Sequence, residues 1–204
     1  MKVLLATRSA GKLRELHPLL AAAGYEAIDL WAAGITESAE EGALEQFATF
    51  EENALAKAHY FLARTGLPTI ADDSGLCVRA LGERPGVHSK RFSGRGDLSG
   101  LALDEANSAA VLAAVAGVED RAAKYVCVAA FADWTRGVAT RGECAGRILD
   151  DRRGDEGFGY DPWFVSDELG VSFGEATREV KEVVSHRGRA FRALVAALAR
   201  PAEG

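Results

Sequence analysis

Lysine, cysteine and long apolar runs are all scarce in this chain of 204 residues. Its three cysteines, Cys77, Cys127 and Cys144, are odd in number and far apart, and no C-x-x-C pair occurs. That excludes a zinc ribbon or a dithiol redox centre and suits reduced thiols in a cytosol. No segment has the length and apolarity of a signal peptide or a membrane span, so a cytoplasmic location is expected and a membrane partner is not. Positive charge is also short. The formal net charge of −6 excludes a broad cationic face for duplex nucleic acid, and any phosphate ligand must be held locally. The dinucleotide fingerprint G-x-G-x-x-G is missing. So is a P-loop, because only Gly11 precedes Lys12 and Leu13 stands where a metal-binding Ser or Thr belongs.

What remains is an ordinary globular composition, with 48% hydrophobic and 26% charged residues, in a chain long enough to bury about 70% of its unfolded surface. An apolar run at 3–6 suits a buried strand. Residues 10–23 form a helix that Pro18 should kink and Gly24 should cap, and a second strand fits 25–30. After an acidic loop through Glu37, Glu40 and Glu41, a long helix is expected over about 45–64. Phe47, Phe50, Ala54, Leu55, Ala58, Phe61 and Leu62 then share one buried stripe. A short strand at 69–72 leads into Asp73-Ser74-Gly75, and 85–96 is a loop rich in Gly, Ser and Arg. A third helix is expected near 103–116, a long antiparallel hairpin over 124–132 and 138–148, and a last helix at 185–200. This order predicts an α/β fold: a mixed, elongated central sheet flanked by helices, with two lobes around a ligand-binding cleft.

Four segments carry chemistry. Thr7-Arg8-Ser9-Ala10-Gly11-Lys12 lies where a strand becomes a helix, and unsatisfied backbone N–H groups at such a turn attract phosphate; an ordinary turn with Lys12 in solvent is the alternative. Asp72 and Asp73 end an apolar strand. Neighbouring strand residues point to opposite faces, so one is expected to meet a metal or a proton while the other braces a loop; an Asx turn before Gly75 competes with this. In Gly157-Phe158-Gly159-Tyr160-Asp161-Pro162 the glycines allow close backbone approach and Phe158 offers a ring to a flat base, or the stretch is a structural turn. Lys181 precedes Ser185-His186-Arg187-Gly188, where an imidazole and a guanidinium suit a base edge and Ser185 suits a helix cap. The chain uses 24 basic residues but only six lysines, at 2, 12, 57, 90, 124 and 181, so three of them fall in or beside these segments or on the long helix.

Together these segments resemble the ITP/XTP pyrophosphatase family, which cleans the nucleotide pool. The resemblance runs from Leu5 to the last helix and includes Phe50-Glu51-Glu52-Asn53-Ala54-Leu55-Ala56-Lys57-Ala58, Ala71 to Leu76, Pro85-Gly86-Val87 and Ser93-Gly94 in family order. It implies that residues 1–204 form one nucleotide-binding domain, a Mg²⁺-dependent homodimer that hydrolyses ITP, dITP and XTP to the monophosphate and pyrophosphate. By position, Thr7, Ser9, Lys12 and Lys57 would bind the triphosphate. Asp73 would be base and metal ligand, with Ser74 beside it. Phe158, Gly159, Tyr160, Asp161, Lys181, His186 and Arg187 would bind base and sugar, the 158–161 backbone and Arg187 donating to the C6 oxygen of an oxo-purine. Ser9 replaces the family's usual Asn. Residues 43–48 intervene before Thr49-Phe50, so the second metal ligand is Glu41 by its following Gly42 or Glu45 by counting back from Thr49; Glu41 is preferred. The same resemblance leaves two other outcomes open, a pyrophosphatase for modified pyrimidine or 7-methylated nucleotides, or a nucleotide-binding module without catalysis.

Overall fold

The computed structural model describes residues 1–200 and divides into two compact units. Among the described residues the first unit is built from 1–73, 127–142 and 187–200, the second from 74–126 and 143–186. That division into two halves agrees with the sequence reading.

In the first unit β1 (Lys2–Leu5) leads through α1 (Ala10–Ala22) to β2 (Glu26–Asp29), which lies parallel to β1 in the register Lys2 with Glu26 and Leu5 with Asp29. Strand β3 (Thr69–Val78) joins the other side of β1, also parallel. It follows α2 (Phe50–Thr65). Val3, Leu5, Leu16, Leu20, Ile70, Phe131, Phe191 and Leu194 of this unit form one buried apolar cluster. Leu16 and Leu20 are a helical turn apart on α1, so one face of that helix closes over the parallel strands. The helix runs on through Pro18 to Ala22.

The second unit takes β3 from Ser74 onward and adds β4 (Arg84–Pro85) antiparallel to it, then α3 (Gly100–Ala114). Strands β5 (Ala122–Ala132) and β6 (Gly137–Ile148) are neighbours joined by a tight turn, which makes them antiparallel, and β7 (Phe164–Ser166) pairs antiparallel with β6. Helices α4 (Arg178–Val184) and α5 (His186–Leu198) complete the described chain. A second buried cluster holds Leu76, Val78, Val111, Tyr125, Ile148, Tyr160, Phe164 and Phe173. The strand order is β2-β1-β3-β5-β6-β7, with parallel and antiparallel pairs, so the sheet is mixed as expected.

Two expectations change. The long helix does not begin at 45, because Thr49 caps α2: its side chain accepts from Glu52 N–H while the Glu52 carboxylate accepts from Thr49 N–H. Residues Ala39–Glu45 instead form a separate 3₁₀ turn, and Phe47 leaves the buried stripe to stand 45% exposed. Helix α4 was not foreseen; it is short, and Thr177 caps it by accepting from Val180 N–H. Among the described residues no helix is long and apolar enough to cross a membrane.

Candidate active site

The chemistry-bearing side chains of the first unit converge on Asp72 and Asp73, which lie in the middle of β3 and not at a strand end as the sequence suggests. Ser9 caps α1 with an extended backbone, its Oγ accepting from Lys12 N–H at 3.4 Å, while Thr7 Oγ1 accepts from Ser9 N–H at 3.2 Å. This cap turns α1 so that Lys12 Nζ reaches Asp72 Oδ2 at 2.9 Å. Asp72 is buried, and the same oxygen has Arg187 Nε at 3.5 Å and the Cys127 thiol at 3.8 Å. Lys57, presented by α2, donates to Glu45 and, at 3.0 Å, to the Asp72 carbonyl. Arg187 is tied in turn to Glu15 of α1.

Asp73, the next residue, is held differently. It is 6% exposed, and Asn53 of α2 donates to its Oδ2 at 2.8 Å. The two adjacent carboxyls therefore titrate in opposite directions. Burial works against an ionised Asp72, but Lys12, Arg187 and Lys57 outweigh it and hold its carboxyl far below the usual range. For Asp73 burial wins over Lys12, Lys57 and Asn53, with Glu45 adding repulsion, and the carboxyl is pushed above its ordinary value. An acid so raised is suited to accept a proton, or to be brought back down by a cation. Lys57 stays charged because Glu45, Asp72 and Asp73 overcome the burial that disfavours it.

The two candidate second ligands separate here. Glu41, preferred on the sequence, accepts from Ser38 N–H as part of a helix cap, receives two 2.7 Å bonds from Arg8, and has Arg64 at 3.7 Å. The Arg8 bonds hold its carboxyl below the usual range. Glu45 instead lies on Lys57, and its charge reaches Asp73. The structure thus groups Glu45 with Asp73 and commits Glu41 to arginine, because residues 39–45 wind into a turn whose cap consumes Glu41. No group of three His, Cys, Asp or Glu side chains arranged for a metal exists among the described residues. Magnesium does not need one, since one or two carboxylates suffice when phosphate oxygens and water complete its octahedron. Asp73 and Glu45, both oxygen donors and both near lysines that suit phosphate, fit that demand.

In the second unit the predicted base-binding residues form a turn closed on itself. Ser74 follows Asp73 in β3 and is half-buried. Asp161, 2% exposed, accepts from Phe158 N–H at 2.8 Å and from Lys181 Nζ at 2.7 Å on Oδ2, with Tyr125 Oη 3.3 Å from Oδ1. Lys181 Nζ also stands 5.3 Å from the centroid of the half-buried Phe158 ring. Gly157 has a φ of +76°, and a Cβ there would collide with the Asp161 carboxylate, so the turn requires glycine at that point. Tyr160 is an internal strut: its hydroxyl donates to the Ser89 carbonyl at 2.6 Å, and burial pushes its pKa up. Gly159 N–H is accepted by Asp104, and Asp161 N–H donates to the Phe158 carbonyl at 3.3 Å. His186 is buried and stacked on Tyr125 at 4.5 Å. Two of the N–H donors expected to face a base are thus used inside the turn and a third is taken by Asp104 of α3, while the Phe158 ring stays half-buried. Arg187, expected on the base side, is the buried partner of Glu15 and Asp72 in the first unit.

Sequence reasoning did not foresee Asn53 as the partner of Asp73, Glu15 as the partner of Arg187, or Tyr125 and Asp104 behind the turn. A polar Asn on the apolar side of a helical stripe was the one local signal; the rest are long-range pairings.

A mixed α/β chain with buried lysines gathered on the carboxylates of a central strand, and a ring-bearing glycine turn, has the equipment of a phosphate-handling enzyme. It belongs to the Ham1 family, whose model matches residues 3–197. Among its relatives, the dITP/XTP pyrophosphatase of Mycolicibacterium paratuberculosis is 48% identical over 200 residues, covering 96% of this chain and 95% of the relative. That of Methylococcus capsulatus is 44% identical over 202 residues, covering 97% and 96%. The fold is similar to that of a HAM1 protein from Coxiella burnetii, with a TM-score of 0.82 at 32% identity over 97% of this chain and 98% of that one. A dITP/XTP pyrophosphatase from Mycobacterium abscessus gives 0.72 at 40% identity over 97% and 100%.

Proposed function

We propose that this chain acts as one cytoplasmic, homodimeric nucleoside triphosphate pyrophosphatase domain that hydrolyses dITP, ITP and XTP to the monophosphate and pyrophosphate with Mg²⁺, and that neither nucleic acid nor a membrane is its partner. The observation that carries the reading is the contrast of Asp72 and Asp73. One carboxylate is held by Lys12 at 2.9 Å and Arg187 at 3.5 Å, while its neighbour receives the neutral Asn53 amide at 2.8 Å and is raised above its ordinary value by burial.

Asp73 orients a water and accepts its proton as the water oxygen bonds to the α-phosphorus and the bond to the β-phosphate oxygen breaks. Lys12 and Lys57, aided by Thr7 and Ser9, bind the triphosphate and stabilise the charge that develops on the leaving pyrophosphate. Asp73 and Glu45 would hold the divalent ion, which supplies neutralisation of phosphate charge. Ser74 lies beside the reacting groups. The Phe158 ring stacks on the base, on a turn held by Gly159, Tyr160 and Asp161 and braced by Lys181, with His186 packed on Tyr125 behind it, while Arg187 steadies Asp72. An oxo group at C6 accepts where adenine's amine donates, a difference of about 1 to 3 kcal/mol for each buried mismatch.

The test is pyrophosphate release from dITP, ITP, XTP, ATP, GTP and dTTP with Mg²⁺ and with EDTA. Release from the first three, abolished by EDTA, is expected. Equal release from ATP would overturn the substrate class, and no release from any of the six would overturn catalysis.

A further inference from the structure

Asn53 is wholly buried in the fourth position of α2, where a polar amide contributes less to the helix than leucine would and costs free energy unless its hydrogen bonds are met. Both ends of the amide are met, by two different segments. Its Oδ1 accepts from Phe47 N–H at 2.9 Å, and its Nδ2 donates to Asp73 Oδ2 at 2.8 Å. The orientation is forced: turning the amide over would set its NH₂ against a backbone donor and its oxygen against a carboxylate. Phe47 lies two residues beyond Glu45, in the stretch between the 3₁₀ turn and the cap of α2. That stretch has no strand to hold it, so its backbone N–H needs a side-chain partner.

We infer that Asn53 is a positioning residue that couples the Glu45 segment to the Asp73 carboxylate, fixing the second acidic group and the reacting one with a single amide. This rests on the function proposed above. It assigns to Asn53 no contact with substrate; its effect passes through Asp73 and through the backbone that carries Glu45.

Two variants separate the links. Asn53→Asp keeps an acceptor for Phe47 N–H but sets a carboxylate against Asp73, whereas Asn53→Ala removes both bonds. Hydrogen exchange of the Phe47 amide, kcat and KM for dITP, and the affinity for Mn²⁺ alone by electron paramagnetic resonance are measured on the full chain. The expected result is a fall in kcat of about thirtyfold in both variants, the scale of one hydrogen bond to a charged group, with KM changed by less than about threefold. Mn²⁺ affinity should fall in both. Phe47 exchange should quicken by about tenfold or more in Asn53→Ala and stay slow in Asn53→Asp. A kcat within about twofold of the wild type in Asn53→Asp, or unchanged Phe47 exchange in Asn53→Ala, overturns the inference; if Asn53→Ala does not fold, the isosteric variant decides. Wild-type protein inert toward dITP would overturn the proposed function instead, while Phe47 exchange would still report on the link.

Discussion

The two units handle buried charge in opposite ways. In the first, Lys12, Lys57 and Arg187 are interleaved with Asp72, Glu45 and Glu15, and one strand carries two adjacent acids pushed in contrary directions. In the second, the Lys181–Asp161 pair is set among the rings of Tyr125, Phe158, Phe173 and His186, and it serves to hold a turn closed. A network of many charges can exchange partners when a polyanion arrives, because each cation already has more than one acid within reach. A single buried pair walled by rings acts as a fixed brace. Chemistry is therefore expected to depend on the first unit, and shape on the second.

Removing the lifted acid is the hardest test of that contrast. Asp73→Asn should lower turnover about a thousandfold while nucleotide binding, read by calorimetry, is largely kept; turnover near the wild-type rate would take Asp73 out of the reaction. The brace and the network should next differ in stability. Lys181→Met strips Asp161 of its ammonium and should cost about 4 kcal/mol in urea unfolding, whereas Lys12→Met leaves Asp72 with Arg187 and Lys57 nearby and should cost about 2. Equal losses would mean that the network shares nothing. Within the first unit, Glu45→Gln should raise the Mg²⁺ concentration for half-maximal rate about tenfold, and Glu41→Gln should change it far less. The reverse ranking would restore Glu41 as the ligand. Smallest in rate terms is Phe158→Ala, expected to raise KM for dITP about fivefold with kcat nearly kept, since stacking is worth about 1 kcal/mol. An unchanged KM would make the ring a packing element only.

Much of this contrast was legible before any coordinates. The alternation of apolar strand and amphipathic helix gave β1, α1, β2 and the β5–β6 hairpin close to their observed bounds, since each is dictated by local periodicity, whereas β3, expected over 69–72, runs on to Val78. Strand alternation predicts that Asp72 and Asp73 face opposite ways, but which of the two meets the ligand came only from the family resemblance. The start of α2 was also written locally, as Thr49 followed by Glu52, but the apolar stripe that includes Phe47 points further back, and the cap overrules it. What the sequence withheld is the partner of each charge. Arg187 meets Glu15 across 172 positions and Asp161 meets Lys181 across 20, and no spacing rule encodes such meetings. The pairings that bear on Glu41 and Glu45 were hidden for that reason: Arg8, 33 residues away, holds the one and Lys57 the other.

The three cysteines have a practical use that follows from where they lie. Cys77, Cys127 and Cys144 are all buried, and burial together with the neighbouring Asp72 raises the Cys127 pKa, so the thiolate needed for alkylation is suppressed in the native state. A maleimide dye added to the folded enzyme would be consumed only as fast as the chain opens, which turns its own sulfur atoms into a clock for breathing and unfolding without any engineered label.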